Sequence, residues 1–311
     1  METTKQVLVE RTDPQEENKA KPDFKTSIRT ERIDSLRVRY AERGKSNESK
    51  VLMIHGGGVS LGFLSWSKMI PALASEHHVY APDMPGYGGS EKSSEKATLG
   101  YHVGFIERFM DHLKIEQANI VAESFGGGIA MSYALEHTER VKSLSLIDSY
   151  GFVEKHFPLG AYALTRINAG VQQLIIKNLA KSEKLFGKTL NFLLDGSEDA
   201  ELNREKVQVV RDYVTRHNLT VSCLEFVQGE VTTRGLRTNF LKKIKEINRT
   251  GIPVLFIHGT NDPLFPIEKQ RQAAEKIRNA RFVPIDAAHQ PEATHPNQVS
   301  NEILQFLRGA S

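Results

Sequence analysis

Short apolar runs alternate with longer helical patterns along most of this chain, and no other feature constrains the fold as strongly. Apolar runs of this length suit strands that are buried on both faces of a parallel sheet. Strands and helices in repetition require crossover connections, so the sequence predicts a doubly wound α/β fold. The predicted strands are VLMIHG (51–56), HVYAPDM (78–84), NIVAES (119–124), VKSLSLID (141–148), IPVLFIHG (252–259) and ARFVPID (280–286).

Two further patterns complete the predicted sheet and its flanking layers. The early segments TSIRTERID and LRVRYAERG alternate apolar and polar residues, which is typical of an antiparallel hairpin at a sheet edge. The stretches between the buried runs have helical periodicity. The predicted helices are SWSKMIPALASE, YHVGFIERFMDHL, GGIAMSYALEHT, PIEKQRQAAEKIR and NQVSNEILQFLR.

The alternation breaks once, from about Gly151 to Asn248. Stretches such as LGAYALTRINAGVQQLIIKNLA and REKVQVVRDYVTRH are mainly helical there, and the strand rhythm resumes at Ile252. The simplest account is a helical insertion that sits over the sheet. The predicted domains are a polar, flexible N-terminal arm (1–24), a core (25–150 and 249–311) and the helical insertion (151–248).

Composition excludes several classes of protein. With 311 residues and 39% hydrophobic residues, the chain can build one large core with an inserted module. The net charge of +3 comes without a basic block interleaved with aromatics, which disfavours nucleic-acid binding. A lone cysteine, Cys223, excludes an internal disulfide framework and fits a reducing, cytoplasmic location. We find no secretory signal and no run of 18 apolar residues, so stable membrane insertion is not expected.

Ser124 lies between an apolar run and a cluster of glycines, in the stretch AESFGGG. A strand that ends at Glu123 and a helix that begins near Gly126 place this serine on the turn between them. A nucleophile elbow exposes its serine Oγ on such a strained turn, with small residues two positions before and after, here Ala122 and Gly126. A phosphate-binding turn is the alternative. The absence of a P-loop lysine and of the GxGxxG pattern disfavours it.

A serine hydroxyl is a weak nucleophile, so a base must take its proton. Among the eleven histidines, His289 follows the last strand-like run, on a loop beyond the carboxyl end of that strand. Catalytic groups gather at those ends in open α/β sheets, so we predict that His289 is the base. His295, beside Pro296, is predicted to be a helix cap or a surface residue. His55 is predicted to be a structural loop histidine.

An imidazole base needs a carboxylate that holds its tautomer and stabilises the imidazolium. Asp262 follows the penultimate strand, in GTNDPLFP, and Asp148 follows the strand before it. Both could reach the histidine. We favour Asp262, because the order Ser, Asp, His along the chain then follows successive strands. Asp148 stays the competitor, whereas Asp83 is predicted to fix a glycine-rich turn.

Charge that develops on a substrate oxygen requires backbone N–H donors aimed at it. The glycines after His55 would let the backbone approach a substrate closely, and the Gly57 N–H could join that of Phe125 in an oxyanion hole. The insertion would add an apolar pocket for an acyl or aryl group. The alternative is that its apolar side chains simply pack on the core. Candidate pocket residues are Gly58, Trp66, Phe152, Phe157, Leu174, Phe192 and Phe226.

The motifs HGGG, DMPGYGGS, AESFGGG, GTNDPLFP and AAHQPEATHP follow in this order between residues 28 and 309, and together they resemble the α/β-hydrolase superfamily. The resemblance implies a mostly parallel eight-stranded sheet flanked by helices, a helical lid inserted after the sixth strand, and a Ser–His–Asp triad. The stretches HGGG…WSKMIPAL and LNFLLDGSEDAELNREKV are most similar to the meta-cleavage product hydrolases, which split carbon–carbon bonds in vinylogous diketones.

This branch resemblance has departures. That family usually has Asn in place of Lys68, Asn in place of Glu123 and Trp in place of Gln290. Its lid arginine, which holds a substrate carboxylate, is replaced near Lys206 in this chain, with Arg204 close by. A lysine pairs with a carboxylate but lacks the planar bidentate fork of an arginine. The departures make carbon–carbon bond cleavage the alternative and not the preferred activity.

The sequence therefore predicts a serine hydrolase that transfers an acyl group to water, with a carboxylic ester or a related small acyl compound as substrate. Two alternatives stay open: a carbon–carbon bond hydrolase with the same triad, and a non-catalytic ligand receptor on the same fold. No metal-ligand spacing and no cofactor fingerprint appears, so neither a metal nor a cofactor is expected. Self-association into a homo-oligomer also stays open.

Overall fold

The structure is a computed structural model that describes residues 26–57, 62–153, 165–182 and 220–309, with a few single residues between them. Its framework is a β-sheet. The predicted arm, 1–24, lies outside the described residues. The strands are β1 (Ser27–Ile33), β2 (Leu36–Arg43), β3 (Lys50–Ile54), β4 (His78–Pro82), β5 (Ala118–Glu123), β6 (Val141–Ile147), β7 (Val231–Thr232), β8 (Gly235–Leu236), β9 (Val254–Gly259) and β10 (Ala280–Ile285).

Eight of these strands form one sheet in the order β1-β2-β4-β3-β5-β6-β9-β10. The first hairpin and the β2–β4 pair are antiparallel, and every other pair is parallel. The predicted mostly parallel eight-stranded sheet is therefore confirmed. Strands β4 and β5 lie on either side of β3, so the winding direction reverses there. Ligands of doubly wound sheets bind beyond the carboxyl ends of the strands at such a point.

Helices connect the strands and flank the sheet. One predicted helix, over residues 65–76, is shorter than expected, because Pro71 lacks a backbone N–H and fits only the first turn of a helix. A 3₁₀ turn, Gly62–Trp66, precedes it. The α-helices are α1 (Ile70–Leu73), α2 (Leu99–His112), α3 (Phe125–Glu136), α4 (Ala169–Ala180), α5 (Thr220–Glu230), α6 (Ile244–Thr250), α7 (Ile267–Lys276), α8 (Pro291–Thr294) and α9 (Pro296–Gly309).

The sheet separates two hydrophobic clusters, one on each face. In the central strand β3, Leu52 and Ile54 join a cluster with side chains of α2 and α3. Val51 and Met53 point the other way, toward α1, α9 and Trp66. Successive side chains of a strand face opposite sides. A strand buried on both sides must therefore be apolar throughout, which explains the continuous apolar runs in the sequence.

The predicted insertion corresponds to the chain between β6 and β9. The structure describes α4 and α5 in this region, and they contact each other, while α5 also packs on α2 of the core. A two-stranded ribbon, β7–β8, pairs Val231 with Leu236 and was not expected from the helical pattern. Most of the predicted helix REKVQVVRDYVTRH falls outside the described residues. The lid function of this insertion stays a prediction.

No helix among the described residues has the length and apolar character needed to cross a membrane.

Asp83 ties together two loops at the carboxyl edge of the sheet. Its buried carboxylate accepts hydrogen bonds from the Phe63 N–H at 2.8 Å and the Gly89 N–H at 2.7 Å. The Arg39 Nε also donates to it, at 2.6 Å, and only 11% of the Arg39 side chain is exposed. This ion pair fixes the loops after β3 and β4, in keeping with the predicted role of Asp83 in a glycine-rich turn.

Replacement of Asp83 should destabilise the fold strongly. Asp83→Ala leaves the Arg39 guanidinium buried without its carboxylate, and breaking a buried pair in this way costs about 3–5 kcal/mol. Urea unfolding should measure this loss. Asp111→Ala is the matched control, because it removes the carboxylate of an exposed pair with Arg140 and should cost less than about 1 kcal/mol. Equal effects of the two substitutions would contradict this account of Asp83.

Candidate active site

Ser124 occupies a strained turn between β5 and α3. Its backbone has φ of 50° and ψ of −119°, a conformation that residues with a Cβ rarely adopt. Its N–H donates to the Ile147 carbonyl at 2.8 Å, and its carbonyl accepts from the N–H groups of Gly127 and Tyr150. Such strain costs on the order of 1–3 kcal/mol and persists only where the surroundings determine it. The sharp turn aims the hydroxyl away from the strand.

Gly126 allows the helix after this turn to approach the neighbouring strand β3. A Cβ at this position would lie 2.3 Å from the Ile54 carbonyl oxygen and 2.6 Å from that of His55. No side chain fits at those distances. The residue two positions before the serine, Ala122, is also completely buried in the sheet. Close packing on both sides therefore explains why small residues flank Ser124.

His289 reaches Ser124 from the loop after β10. Its Nε2 lies 2.9 Å from the Ser124 Oγ, and its Nδ1 lies 2.9 Å from the Asp262 Oδ2. With its proton on Nδ1, the imidazole donates to the carboxylate and accepts from the serine hydroxyl. Phe265 packs edge-on against the imidazole, with ring centroids 5.4 Å apart. The structure thus brings three of the predicted site residues into one hydrogen-bonded chain.

Asp262 and Asp148, the two candidate acids, occupy different positions. The second carboxylate oxygen of Asp262 accepts from the backbone N–H groups of Leu264 and Phe265, at 2.7 and 3.1 Å, so its loop is ordered around the carboxylate. Asp148 instead accepts from the Gly259 N–H at 2.8 Å. The contacts of the Asp148 carboxylate therefore lie behind the loop, and Asp262 is the acid that touches the imidazole.

A buried polar cluster behind Asp262 escaped the sequence analysis. His258 Nδ1 lies 3.0 Å from the Asp148 Oδ1, and His258 Nε2 lies 3.6 Å from the Asp262 Oδ2. Burial, reinforced by the Asp262 charge, raises the pKa of Asp148 well above its usual range. Burial lowers the pKa of His258. Both shifts favour the neutral forms of Asp148 and His258.

The same cluster has the spacing of a metal site. Ligand atoms of Asp148, His258 and Asp262 lie within 4.8 Å of one another. Three of these atoms have protein partners: the Gly259 N–H binds the Asp148 Oδ1, the Phe265 carbonyl oxygen lies 2.9 Å from the His258 Nε2, and the Asp262 Oδ2 contacts His289. The cluster is thus partly engaged within the protein, whereas the buried Asp148 Oδ2 and His258 Nδ1 make no hydrogen bond among the described residues.

The candidate oxyanion-hole residues lie side by side. Gly57 follows β3 and Phe125 begins α3, and a Cβ on Gly57 would be only 3.3 Å from the Phe125 Cβ. His55 holds the loop: its Nδ1 lies 2.7 Å from the Gly56 carbonyl oxygen, and its Nε2 accepts from the Met84 N–H at 2.9 Å. Burial lowers the pKa of His55 to about 4, so it is neutral at ordinary pH.

The candidate pocket residues have different surroundings. The Phe226 ring of α5 packs edge-on against Phe125, with centroids 4.4 Å apart, and also contacts Tyr150. Phe152 packs on Phe240 and Phe256 in the core. Trp66 is completely buried in the cluster on the other face of the sheet. Leu174 is 61% exposed. Gly58, Phe157 and Phe192 lie outside the described residues.

Two aromatic residues beside the site were missed by the sequence analysis. Tyr150 lies just after β6, and its hydroxyl donates to the buried Glu230 carboxylate of α5 at 2.8 Å. Phe265 contacts both Tyr150 and His289. Both follow the carboxyl ends of central strands, the signal that pointed to Asp148 and Asp262, but an aromatic in a loop carries no chemical motif.

A comparison with protein families identifies the fold that the sequence pattern and the site geometry indicate. Residues 50–296 match the model of the alpha/beta hydrolase fold. The chain therefore belongs to the α/β-hydrolase-fold family. The mostly parallel sheet of eight strands is the feature of the structure that this membership accounts for.

Relatives in this family differ in their reactions. The chain is 27% identical to a 2-hydroxy-6-oxo-6-(2'-aminophenyl)hexa-2,4-dienoic acid hydrolase of Metapseudomonas resinovorans, over 88% of each chain. It is 26% identical to a pimeloyl-[acyl-carrier protein] methyl ester esterase of Aeromonas hydrophila, over 83% of this chain and 94% of the relative. Two stronger but shorter matches, both 41% identical, span only 31% and 36% of the relatives' length.

A solved structure supports the same fold. The 2-hydroxy-6-oxo-6-phenylhexa-2,4-dienoate hydrolase from Rhodococcus superposes with a TM-score of 0.71 at 19% identity, over 91% of this chain and 99% of that chain. At this identity the likeness concerns the fold alone.

The close approach at Gly126 predicts a large effect of one added methyl group. Gly126→Ala should force α3 away from β3, because overpacking of this kind costs about 1–3 kcal/mol and would displace Ser124. Urea unfolding and the rate of fluorophosphonate labelling at Ser124 should both report the change. Gly100→Ala, in α2, is the control, because its Cβ would meet nothing within 4 Å. A Gly126→Ala protein as stable and reactive as wild type would contradict the packing argument.

Proposed function

We propose that this protein is a serine hydrolase in which Ser124 is the nucleophile, His289 the general base and Asp262 the acid that orients the base. The observation that carries the proposal is the pair of 2.9 Å distances from the imidazole of His289, one to the Ser124 Oγ and one to the Asp262 Oδ2. A nucleophile, a base and an orienting acid in this geometry constitute the arrangement used for acyl transfer on unrelated folds.

The proposed reaction proceeds through an acyl-enzyme. His289 takes the proton of Ser124 as Oγ attacks the substrate carbonyl carbon, and the carbonyl oxygen becomes an oxyanion bound by the Gly57 and Phe125 N–H groups. The imidazolium, stabilised by Asp262, then protonates the leaving alcohol as the carbon–oxygen bond breaks. Water repeats the two steps on the acyl group, which leaves as a carboxylic acid and restores the serine.

The preferred substrate is a carboxylic ester or a related small acyl compound with an apolar acyl or aryl group. The rings of Phe125, Phe226, Tyr150 and Phe265 form a continuous series of contacts that ends on the imidazole of His289. Apolar walls with few polar groups are typical of small-molecule pockets. The similarity to a methyl ester esterase over 94% of that relative supports the same reaction.

Carbon–carbon bond hydrolysis of a dienoate ketone is the second candidate. Its support is the similarity to a dienoic acid hydrolase over 88% of both chains. The same serine, histidine and acid would serve either reaction. A third candidate, a ligand receptor without catalysis, would require an unreactive Ser124.

Parallel assays of the purified protein should separate these candidates. We expect turnover of 4-nitrophenyl esters with short or aryl acyl groups, rapid fluorophosphonate labelling of Ser124, and loss of both in Ser124→Ala. Turnover of a coloured 2-hydroxy-6-oxo-dienoate at a higher kcat/KM than any ester would favour the second candidate. A folded protein whose Ser124 resists the fluorophosphonate would favour the third and overturn the proposal.

The two acids should respond differently to amide substitution. Asp262→Asn should lower kcat by about 10⁴, because an amide no longer holds the imidazole in the required tautomer. Asp148→Asn should stay within about tenfold of wild type, since burial already favours the neutral acid, which an amide resembles. Steady-state kinetics on one ester would measure both. The reverse order of severity would reassign the acid to Asp148.

A further inference from the structure

Glu123 is a buried carboxyl that the proposed reaction does not use. It is the last residue of β5, directly before Ser124, and only 2% of it is exposed. An isolated carboxylate at such a position is costly, so its partners must compensate for the loss of water. Its placement at the end of a strand that is buried throughout therefore calls for a specific explanation.

The first partner of Glu123 is Gly56 in the oxyanion loop. The Gly56 N–H donates to the Glu123 Oε2 at 2.6 Å, and a Cβ on Gly56 would lie 2.4 and 2.5 Å from the two carboxyl oxygens. Only a glycine lets the backbone come this close to the carboxyl. The contact joins positions 67 residues apart and closes the loop after β3 onto the elbow.

The contact fixes a particular peptide plane. The Gly56 carbonyl and the Gly57 N–H belong to the same planar peptide, so the direction of one sets the direction of the other. His55 Nδ1 lies 2.7 Å from that carbonyl oxygen, and Glu123 holds the N–H at the other side of the Gly56 Cα. Together they leave Gly56 little freedom to rotate. The Gly57 N–H is the donor proposed for the oxyanion hole.

Glu123 also contacts the loop that carries the base. The Gln290 side chain donates a hydrogen bond to the Glu123 carboxyl, and Gln290 directly follows His289. Burial raises the pKa of Glu123, whereas the charge of His289 and the hydrogen bond from Gly56 lower it. The carboxyl of Glu123 therefore contacts both the oxyanion loop and the loop of His289, and Glu123 directly precedes the proposed nucleophile in the sequence.

We propose that Glu123 is a positioning residue that holds the Gly57 N–H in the oxyanion hole through its hydrogen bond to Gly56. This inference rests on the proposed serine-hydrolase function. A donor that is aimed before the reaction begins stabilises the oxyanion without reorganisation. The proposed contribution of Glu123 is thus to the transition state and not to the binding of substrate.

Substitutions of Glu123 that change either its side-chain length or its charge, but not both, test this role. Glu123→Gln keeps an acceptor at the same distance and removes the charge, whereas Glu123→Asp keeps the charge but is one methylene too short. For hydrolysis of 4-nitrophenyl butyrate, we expect Glu123→Gln to stay within about threefold of the wild-type kcat. Glu123→Asp should lower kcat by about tenfold or more with KM nearly unchanged, since complete removal of an oxyanion donor costs about 10²–10³.

Glu123→Met and Asn119→Ala complete the experiment. Glu123→Met keeps the volume without an acceptor and should behave like Glu123→Asp. Asn119→Ala removes a buried polar group at the other end of β5, where it bonds Lys50 and Ser143, and should lower the urea midpoint but not kcat. The inference would be overturned if Glu123→Asp kept the wild-type kcat, or if Glu123→Gln lost as much kcat as Glu123→Asp. A rise in KM of Glu123→Asp without a fall in its kcat would also overturn it. An inactive wild type would instead refute the proposed function.

Discussion

The strained backbone at Ser124 is the constraint on which the rest of the site depends. The turn places a residue with a Cβ at φ of 50°, and the fold must supply the free energy that holds it there. Its N–H donates to Ile147 of β6, its carbonyl accepts from Gly127 of α3 and from Tyr150 after β6, and Gly126 lets α3 lie against β3. The two hydrophobic clusters that hold the parallel strands together thereby also hold the serine in position.

Several ionisable groups are buried in and around the candidate site at Ser124. Glu123, Asp148, His258 and His289 are each less than 5% exposed. Burial favours the neutral forms of Asp148 and His258. Partly satisfied polar networks are costly in a low-dielectric interior. The hydrogen bonds to backbone N–H groups at Gly56, Gly259, Leu264 and Phe265 offset that cost.

Local sequence patterns predicted the sheet and the candidate nucleophile, because each is encoded within a few neighbouring residues. The apolar run at 119–123 becomes β5 from Ala118 to Glu123. The helix predicted over residues 65–76 is confined to Ile70–Leu73, because Pro71 fits only the first turn of a helix and the helical pattern of the sequence does not show this limit. The contacts of Glu123 and of Asp148 could not be predicted. They join positions 67 and 111 residues apart, and only the assembled sheet brings them together.

The proposed catalytic residues and the segment between β6 and β9 make different contributions to the site. The serine, histidine and acid, with the proposed oxyanion donors, all lie on core elements whose positions follow from the sheet. The insertion adds Phe226 against Phe125 and the carboxylate of Glu230 against Tyr150, contacts that shape the surroundings and leave the reacting atoms alone. Function in such folds is decided by the site and not by the architecture. In the proposed mechanism Ser124, His289 and Asp262 would serve either reaction, so the choice between ester and carbon–carbon bond hydrolysis would depend on the groups that surround the substrate.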